Sequence, residues 1–481
     1  MFLCRERELK KLNYRYESNT LECVIIYGRR RVGKTALIKE FVKNKPVIFF
    51  SALRAAANDN LEALSKVIHN FHHPNAESAP NYSSFDNAFS AITDIARLQE
   101  RVVFVIDELP YLVDADKSIL SRLQHLMDHD WKESRLFVIL CGSSISFMEK
   151  EVLSDKSPLF GRRTAQMKIE PLSYLDAARF HPELSPEENA LIYGITGGIP
   201  HYINKLDVHG SIKDALLNNL FDPYSYLYEE PENLLKQELR EPAVYNSIIR
   251  AIANGASRLS EISDKVRIES SLCISYLKVL SELGIVSRIE PAVDKTRKKT
   301  IYRITDNFFR FWYRFIPSSM LQIQIGSMEK AYDAAVGSYL SDYMGQVFED
   351  ICRQYLVRYA DDLPFIIGEI GEWWGTHPLL KKEAQMDIVA VELRSNNVTG
   401  GEKYIIGSCK YRNEKIGPEE FDLIRDYSSV FTKADDERFY YIFSKSGFRD
   451  SLYALQKNQK IKLITIDTVY SVNYPRLKSQ A

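Results

Sequence analysis

Residues 28–35 read Gly-Arg-Arg-Arg-Val-Gly-Lys-Thr, a complete G-x-x-x-x-G-K-T loop directly after the apolar run Leu21, Cys23, Val24, Ile25, Ile26 and Tyr27. The chemistry open to that octapeptide is capture of a nucleoside triphosphate. Glycine at Gly28 and Gly33 lets the backbone N–H groups of Arg29, Arg30, Arg31 and Val32 turn inward around the phosphates. Lys34 brings a point charge to the β/γ oxygens and Thr35 a hydroxyl to Mg²⁺. A helix from Lys34 through Ala36, Leu37, Ile38 and Phe41 adds its positive N-terminal dipole. ATP and Mg²⁺ are therefore the expected cofactors.

Such a loop needs an acidic partner. Val102-Val103-Phe104-Val105-Ile106 ends in Asp107-Glu108, the pattern of a buried parallel strand delivering two acids. Asp107 is the candidate metal residue and Glu108 the candidate base for the attacking water. A third strand, Leu136 to Gly142, carries Ser143 and Ser144 to its carboxyl end. Ser143 reads either as a γ-phosphate sensor or as a helix cap for Ile145 to Lys150. Arg162 and Arg163 lie on the Gly-containing loop 157–163, before a strand from Ala165 to Ile169. Either they are solvated or one of them neutralises charge on the γ-phosphate, including that of a neighbouring subunit in a homo-oligomer.

These residues sit in a chain of 481 residues, long enough for about three domains. Lys plus Arg (63) balance Asp plus Glu (64), so any nucleic-acid site must be a local patch. The six cysteines are scattered without C-x-x-C spacing, which reads as reduced thiols in a cytoplasmic protein. No stretch approaches the roughly 18 apolar residues that span a bilayer, and neither an export signal nor a membrane partner is expected.

Three helical periodicities, Ala243 to Ile252, Leu259 to Val266 and Ser270 to Leu283, precede two alternating runs around the basic segment 294–299. That order reads as a winged helix-turn-helix. DNA contacts would come from Ser270, Ser271, Ser275, Tyr276 and Lys278 on its third helix, and from Lys295, Arg297, Lys298 and Lys299 on the wing. The alternative is a packing and relay module, because the third helix carries one lysine. The aromatic row Phe308, Phe309, Phe311, Trp312, Tyr313 and Phe315 reads as an apolar docking surface between domains rather than a platform for single-stranded bases.

Together the opening Phe2-x-x-Arg5-Glu6-x-Glu8-Leu9, the arginine-rich loop, Asp107-Glu108, the 157–163 segment and Gly197-Gly198-Ile199-Pro200 resemble the archaeal and bacterial ATPases of the AAA+/STAND superfamily. Members of this class pair a P-loop domain with a C-terminal domain, DUF234. The resemblance implies an α/β fold class: a parallel-sheet P-loop ATPase core (1–180), a helical lid (181–238), the winged helix-turn-helix (239–316) and a restriction-endonuclease-like domain (325–481). It also implies that Pro200 contacts nucleotide from the lid. On residues alone, Gly197-Gly198 followed by Pro200 is a helix stop and restart compatible with a hinge.

The helix and strand order after Tyr343 resembles the PD-(D/E)XK nuclease core, in which strand-borne acids and a lysine gather around a divalent cation. Asp387 then fits the first acid and metal ligand, Lys410 the lysine, and Glu349 an accessory acid. The chain departs from the pattern at Ser408, where an acid belongs two residues before the lysine. Glu369, Glu372 and Glu402 are the candidate substitutes. Otherwise Asp387 and Lys410 form a buried ion pair, or the fold persists as a binding platform. The functional expectation is a Mg-ATP-driven switch that controls a DNA-binding winged helix and a nuclease-like domain. A non-cleaving DNA-binding regulator and an ATP-gated protein-interaction scaffold are the alternatives.

Overall fold

The continuous apolar runs of the first half become strands of one parallel sheet. In the computed structural model, which describes residues 2–74, 79–293, 299–379, 381–394, 401–457 and 459–471, these strands are β1 (Glu22–Tyr27), β2 (Val47–Ser51), β3 (Val103–Asp107), β4 (Phe137–Gly142) and β5 (Ala165–Lys168). They stand in the order β2-β3-β4-β1-β5, with every neighbouring pair parallel. Every residue of β1, β3 and β4 is buried, so their sequences do not alternate. β2, at the sheet edge and only half-buried, lacks that signature and was not among the expected strands. Because β4 lies between β1 and β3, its carboxyl end falls between the loop after β1 and the acids that end β3.

The chain divides into two compact units. The first holds residues up to Pro171 together with Ile199–His201, and the second holds Leu172–Gly198 and the chain from Tyr202 onward. The core of the first is built from the inward faces of the sheet and from Phe89, Phe104 and Trp131, whose indole donates to Thr93 Oγ1 at 2.8 Å.

In the second unit the helix Pro186–Thr196 opens with a capping box between Ser185 and Glu188 and stops at Gly197, which adopts φ 64°. Gly198 follows at φ 67°, and a Cβ there would lie 2.2 Å from the Leu172 carbonyl oxygen. The next helix starts at Pro200, so the stop and restart read from the sequence is present. Helices Pro242–Ala253, Leu259–Val266 and Ser270–Glu282 precede an antiparallel pair, β6 (Val286–Ile289) and β7 (Ile301–Ile304). The wing candidates Lys295, Arg297 and Lys298 lie outside the described residues.

The aromatic row, expected to be an apolar docking surface, is covered. All six residues of the aromatic row are buried on the helix Asn307–Gln324. Phe308 packs on Tyr202 at 4.3 Å, Phe311 on Tyr343 at 5.5 Å, and the Trp312 indole donates to the Tyr228 carbonyl at 2.6 Å. The row is interior to the second unit and packs on residues of segments 181–238 and 325–481, so it is an apolar packing surface and not a base-stacking platform.

The last sheet orders as β12-β11-β10-β9-β8, from β8 (Ile367–Thr376), β9 (Glu383–Glu392), β10 (Lys403–Lys410), β11 (Glu437–Ser444) and β12 (Ile461–Thr465). β8, β9 and β10 are antiparallel, whereas β10, β11 and β12 are parallel and joined through helices Pro418–Ser428 and Asp450–Gln456. Parallel neighbours need such crossovers. The first crossover helix covers the end of β10 that carries Ser408 and Lys410.

Candidate functional site

The loop after β1 depends on two glycines for different reasons. At Gly28 (φ 151°) a Cβ would lie 2.4 Å from the Ile169 carbonyl oxygen, so backbone passes backbone too closely for any side chain. Gly33 (φ 92°) turns the chain into the helix Lys34–Val42, and Pro200 Cγ lies 3.9 Å from where its Cβ would stand. Arg31 is left-handed as well, at φ 71°. Lys34 is buried, and its ammonium donates to the carbonyls of Gly28 and Arg29, each at 2.9 Å. Burial lowers its pKa, with the Asp107 and Glu108 carboxylates opposing. The guanidinium of Arg30 donates to the Tyr111 hydroxyl.

The topology brings the acids to this loop. Thr35 Oγ1 donates to Asp107 Oδ2 at 2.8 Å. Glu108 sits in the left-handed region at φ 57°, a conformation uncommon outside glycine. Its Oε2 accepts from the Ser143 hydroxyl at 2.8 Å and from the Ser143 N–H at 3.3 Å. Ser144, not Ser143, stands at the N-cap of the short helix Ile145–Phe147, so the capping reading of Ser143 gives way to a bond with Glu108. Thr35 and Asp107 form a pair of hard oxygen donors suited to Mg²⁺, which takes few protein ligands and keeps its waters and phosphates.

The two arginines are engaged elsewhere. Arg162 makes a bidentate pair with Asp128 (3.0 and 2.9 Å) and donates to the Phe160 carbonyl at 2.8 Å. Arg163 donates to the Leu153 carbonyl at 2.8 Å. A residue given no role from sequence, Arg5, reaches the back of the loop: its guanidinium donates to the carbonyls of Val32 (3.2 Å) and Glu170 (2.5 Å).

A second cluster forms on the other sheet. The β9–β10 register pairs Gly407 with Ile388, so one step further sets Asp387 beside Ser408. Ser408 and Lys410, two apart on a strand, share a face. Asp387 Oδ2 accepts from the Cys409 N–H at 2.8 Å and lies 3.4 Å from the Ser408 hydroxyl. The acid that meets Ser408 and Lys410 is Glu420 on the crossover helix: its Oε1 accepts from Ser408 Oγ at 2.7 Å and pairs with Lys410 at 3.2 Å. Glu420 is buried, whereas Lys410 and Asp387 are half-buried.

Burial pushes the Asp387 carboxyl up despite Lys410 and the Cys409 N–H. Burial and the Asp387 charge push Glu349 up to about 8. Burial opposes the Lys410 charge, but Asp387 and Glu420 outweigh it and raise its pKa. Arg353 ties the helix Leu340–Arg358 to this cluster by donating to the Asp387 carbonyl at 2.8 Å, 3.8 Å from Glu349. Among the described residues no three His, Cys, Asp or Glu groups converge closely enough to hold a metal unaided. Asp387 and Glu420 are hard oxygen donors of the kind Mg²⁺ accepts, with water in its remaining positions.

Comparison with known proteins follows this division. The profile of an ATPase domain found predominantly in Archaea matches residues 2–206, and that of DUF234, archaeal and bacterial proteins of unknown function, matches residues 312–420. An uncharacterized protein of Methanocaldococcus jannaschii is 32% identical over 454 residues, covering 92% of this chain and 96% of the relative. The chain belongs to this family of archaeal ATPase-DUF234 proteins. An uncharacterized ATP-binding protein of Pyrococcus abyssi is 25% identical over 44% of the chain and 73% of its own length. The fold is shared with a Walker-type ATPase of Pyrococcus abyssi, at TM-score 0.50 and 22% identity, over 65% of this chain and 96% of that one.

Within the family's DUF234 region, the acids offered as substitutes for the missing carboxylate are placed elsewhere. Glu372 makes a bidentate pair with Arg303 at 2.7 and 3.1 Å. Glu402 precedes β10, at the opposite end from Lys410, and its carboxylate accepts from the Tyr404 hydroxyl. Glu369 is on β8, two strands from β10. Of the other DNA-contact candidates, Ser270, Ser271, Ser275 and Lys278 are exposed on one helix, whereas the Tyr276 hydroxyl donates to Glu241 at 2.8 Å. Lys299 is half-buried. No helix among the described residues is long and apolar enough to cross a membrane.

Proposed function

We propose that this ATP-binding P-loop protein is a Mg-ATP-dependent switch. ATP binding and hydrolysis in the 1–180 core, under a lid of 181–238, change how a winged helix-turn-helix (239–316) and a PD-(D/E)XK-like DUF234 domain (325–481) engage DNA. The observation that carries this reading is the convergence of Lys34, the Thr35–Asp107 pair and the Ser143–Glu108 pair at the carboxyl ends of β1, β3 and β4. Lys34 exchanges the carbonyls of Gly28 and Arg29 for the β/γ oxygens, and the N–H groups of the loop hold the phosphates. Thr35 and Asp107 hold Mg²⁺, which supplies charge neutralisation. Glu108 orients and deprotonates the attacking water, with Ser143 fixing its carboxylate. Arg162 or Arg163 serves a neighbouring protomer in a homo-oligomer, and Pro200 closes over the loop.

DNA engagement rests on the exposed Ser271 and Lys278 with the basic wing, and on Asp387 and Lys410. The exposed Leu272 (47%) and Ile274 (47%) on the same helix favour a second reading, an ATP-gated protein-interaction scaffold. Purified protein incubated with duplex or single-stranded DNA, with Mg²⁺ or Mn²⁺ and with or without ATP, separates these. Cleavage lost in Lys410→Ala supports the nuclease. Salt-sensitive retention without cleavage supports a DNA-binding regulator, and ATP turnover with neither supports the scaffold.

A further inference from the structure

The sequence leaves the DUF234 region one carboxylate short, because Ser408 occupies the strand position from which an acid would face the Lys410 site. The structure supplies a carboxylate at that place from another element. Glu420 sits in the first turn of the helix Pro418–Ser428 and points onto β10, where its Oε1 is 2.7 Å from the Ser408 hydroxyl and 3.2 Å from the Lys410 ammonium. We infer that Glu420 is the second acidic ligand of a divalent cation held with Asp387, taking the role that a strand-borne acid at position 408 would otherwise fill. This inference rests on the nuclease-like reading of the DUF234 region and names the residue that completes its site.

Three observations carry it. Ser408 is 3% exposed, and its hydroxyl lies between the two acids, 2.7 Å from Glu420 Oε1 and 3.4 Å from Asp387 Oδ2. The side-chain hydrogen bonds of both acids fall on one oxygen each, those of Asp387 on Oδ2 and that of Glu420 on Oε1, which leaves Oδ1 and Oε2 out of the hydrogen bonds among the described residues. The buried Glu420 sits beside a half-buried lysine, so the cluster is reachable from solvent on the Lys410 side. A buried acid whose sole purpose was to neutralise Lys410 would serve equally well from any position within reach of the ammonium. Glu420 instead overlies the side chain of the residue whose type departs from the two-acid pattern. The hard oxygen donors fit Mg²⁺ or Mn²⁺, with the remaining coordination left to water and a phosphodiester.

The test is Mn²⁺ binding to the full chain without nucleotide, followed by the paramagnetic resonance signal of free Mn²⁺, alongside thermal unfolding with and without Mn²⁺. Asp387→Asn identifies the part of the binding that belongs to this site rather than to Asp107. Glu420→Gln is expected to weaken that part by about 10–100-fold or more. The double variant Ser408→Glu/Glu420→Ala, which moves the carboxylate back onto β10, is expected to recover most of it while the single Glu420→Ala does not. Recovery would not follow if Glu420 were only a partner for Lys410. Binding lost in Asp387→Asn but unchanged in Glu420→Gln overturns the assignment of Glu420 and keeps the site. Wild-type protein with no Mn²⁺ binding sensitive to Asp387 overturns the assignment together with the nuclease-like reading.

Discussion

Ser143 donates its hydroxyl to Glu108 Oε2 at 2.8 Å, across the gap between the ends of β4 and β3. The bond fixes a carboxylate whose backbone is held in the left-handed region, and so aims it at one place beside the phosphate loop. Replacing Glu108 by Gln preserves shape and removes basicity. ATP affinity is expected to stay within a few-fold while turnover falls by about a hundredfold or more. Ser143→Ala removes only the aim, so turnover is expected to fall by about tenfold, the equivalent of one hydrogen bond to a charged group. Isothermal binding and steady-state phosphate release measured on both variants check this; equal losses in binding and turnover would argue against an orienting role.

Gly28 and Gly161 both have positive φ, 151° and 78°, but they differ in surroundings. A methyl at Gly28 meets the Ile169 carbonyl oxygen at 2.4 Å, whereas nothing lies within 4 Å at Gly161. Gly161→Ala is expected to cost only the strained conformation, about 1 kcal/mol. Gly28→Ala adds a collision of about 1–3 kcal/mol and displaces β5 from β1, so it should also abolish ATP binding. Chemical denaturation of the two variants gives the comparison.

Cys23 lies on β1 and is fully buried, and burial pushes its thiol up to about 12. The thiolate is the reactive form, so the folded protein should resist alkylation at Cys23 across the ordinary pH range, and labelling should follow unfolding. The sign for stability is also fixed. A thiol whose folded pKa is raised loses stability as pH rises above the unfolded value near 8.5, because only the unfolded chain then releases the proton. Mass spectrometry after timed alkylation at pH 7 and pH 9, with and without denaturant, reads both.

Much of the ATP-binding half was legible because its strands are buried on both faces and its loop residues are local in sequence. Lys34, Thr35 and the Asp107-Glu108 pair fall where a strand ends, and ends of strands can be read from an apolar run. The partner of Ser143 was not legible, since it depends on β4 standing between β1 and β3. Arg5 stood in the opening motif, but its role was hidden for a similar reason: its contacts are with carbonyls 27 and 165 residues away. Glu420 escaped because its meeting with Ser408 depends on how a crossover helix lies on β10, not on spacing along one element. The aromatic row was legible as an apolar packing face, but its partners Tyr202, Tyr228 and Tyr343 were not, because they come from elements remote in the chain.

Glu372 illustrates how an acid of the right type can be committed elsewhere. It is 4% exposed and forms a two-pronged pair with Arg303 of β7. Removing it leaves a largely buried guanidinium without its carboxylate. Glu372→Ala is expected to destabilise the second unit by about 3–5 kcal/mol, and Mn²⁺ binding per folded molecule should be unchanged. Loss of metal binding without loss of stability would return Glu372 to the metal site.

Arg162 and Asp128 form a bidentate pair whose side chains are 32% and 35% exposed. Solvent screening leaves so exposed a pair contributing little to stability, so Arg162→Ala should fold normally. If the guanidinium leaves Asp128 to neutralise the γ-phosphate of a neighbouring protomer, turnover by Arg162→Ala should fall by at least about tenfold and ATP binding should persist. A mixing experiment then discriminates between the two locations of action. Glu108→Gln protein retains Arg162 and Arg162→Ala protein retains Glu108, so an equimolar mixture contains interfaces with both groups and should recover turnover that neither variant has alone. An arginine acting within its own chain gives no such recovery. Asp128→Ala frees the guanidinium at rest, and is expected to lower the protein concentration at which wild-type turnover reaches half its maximum.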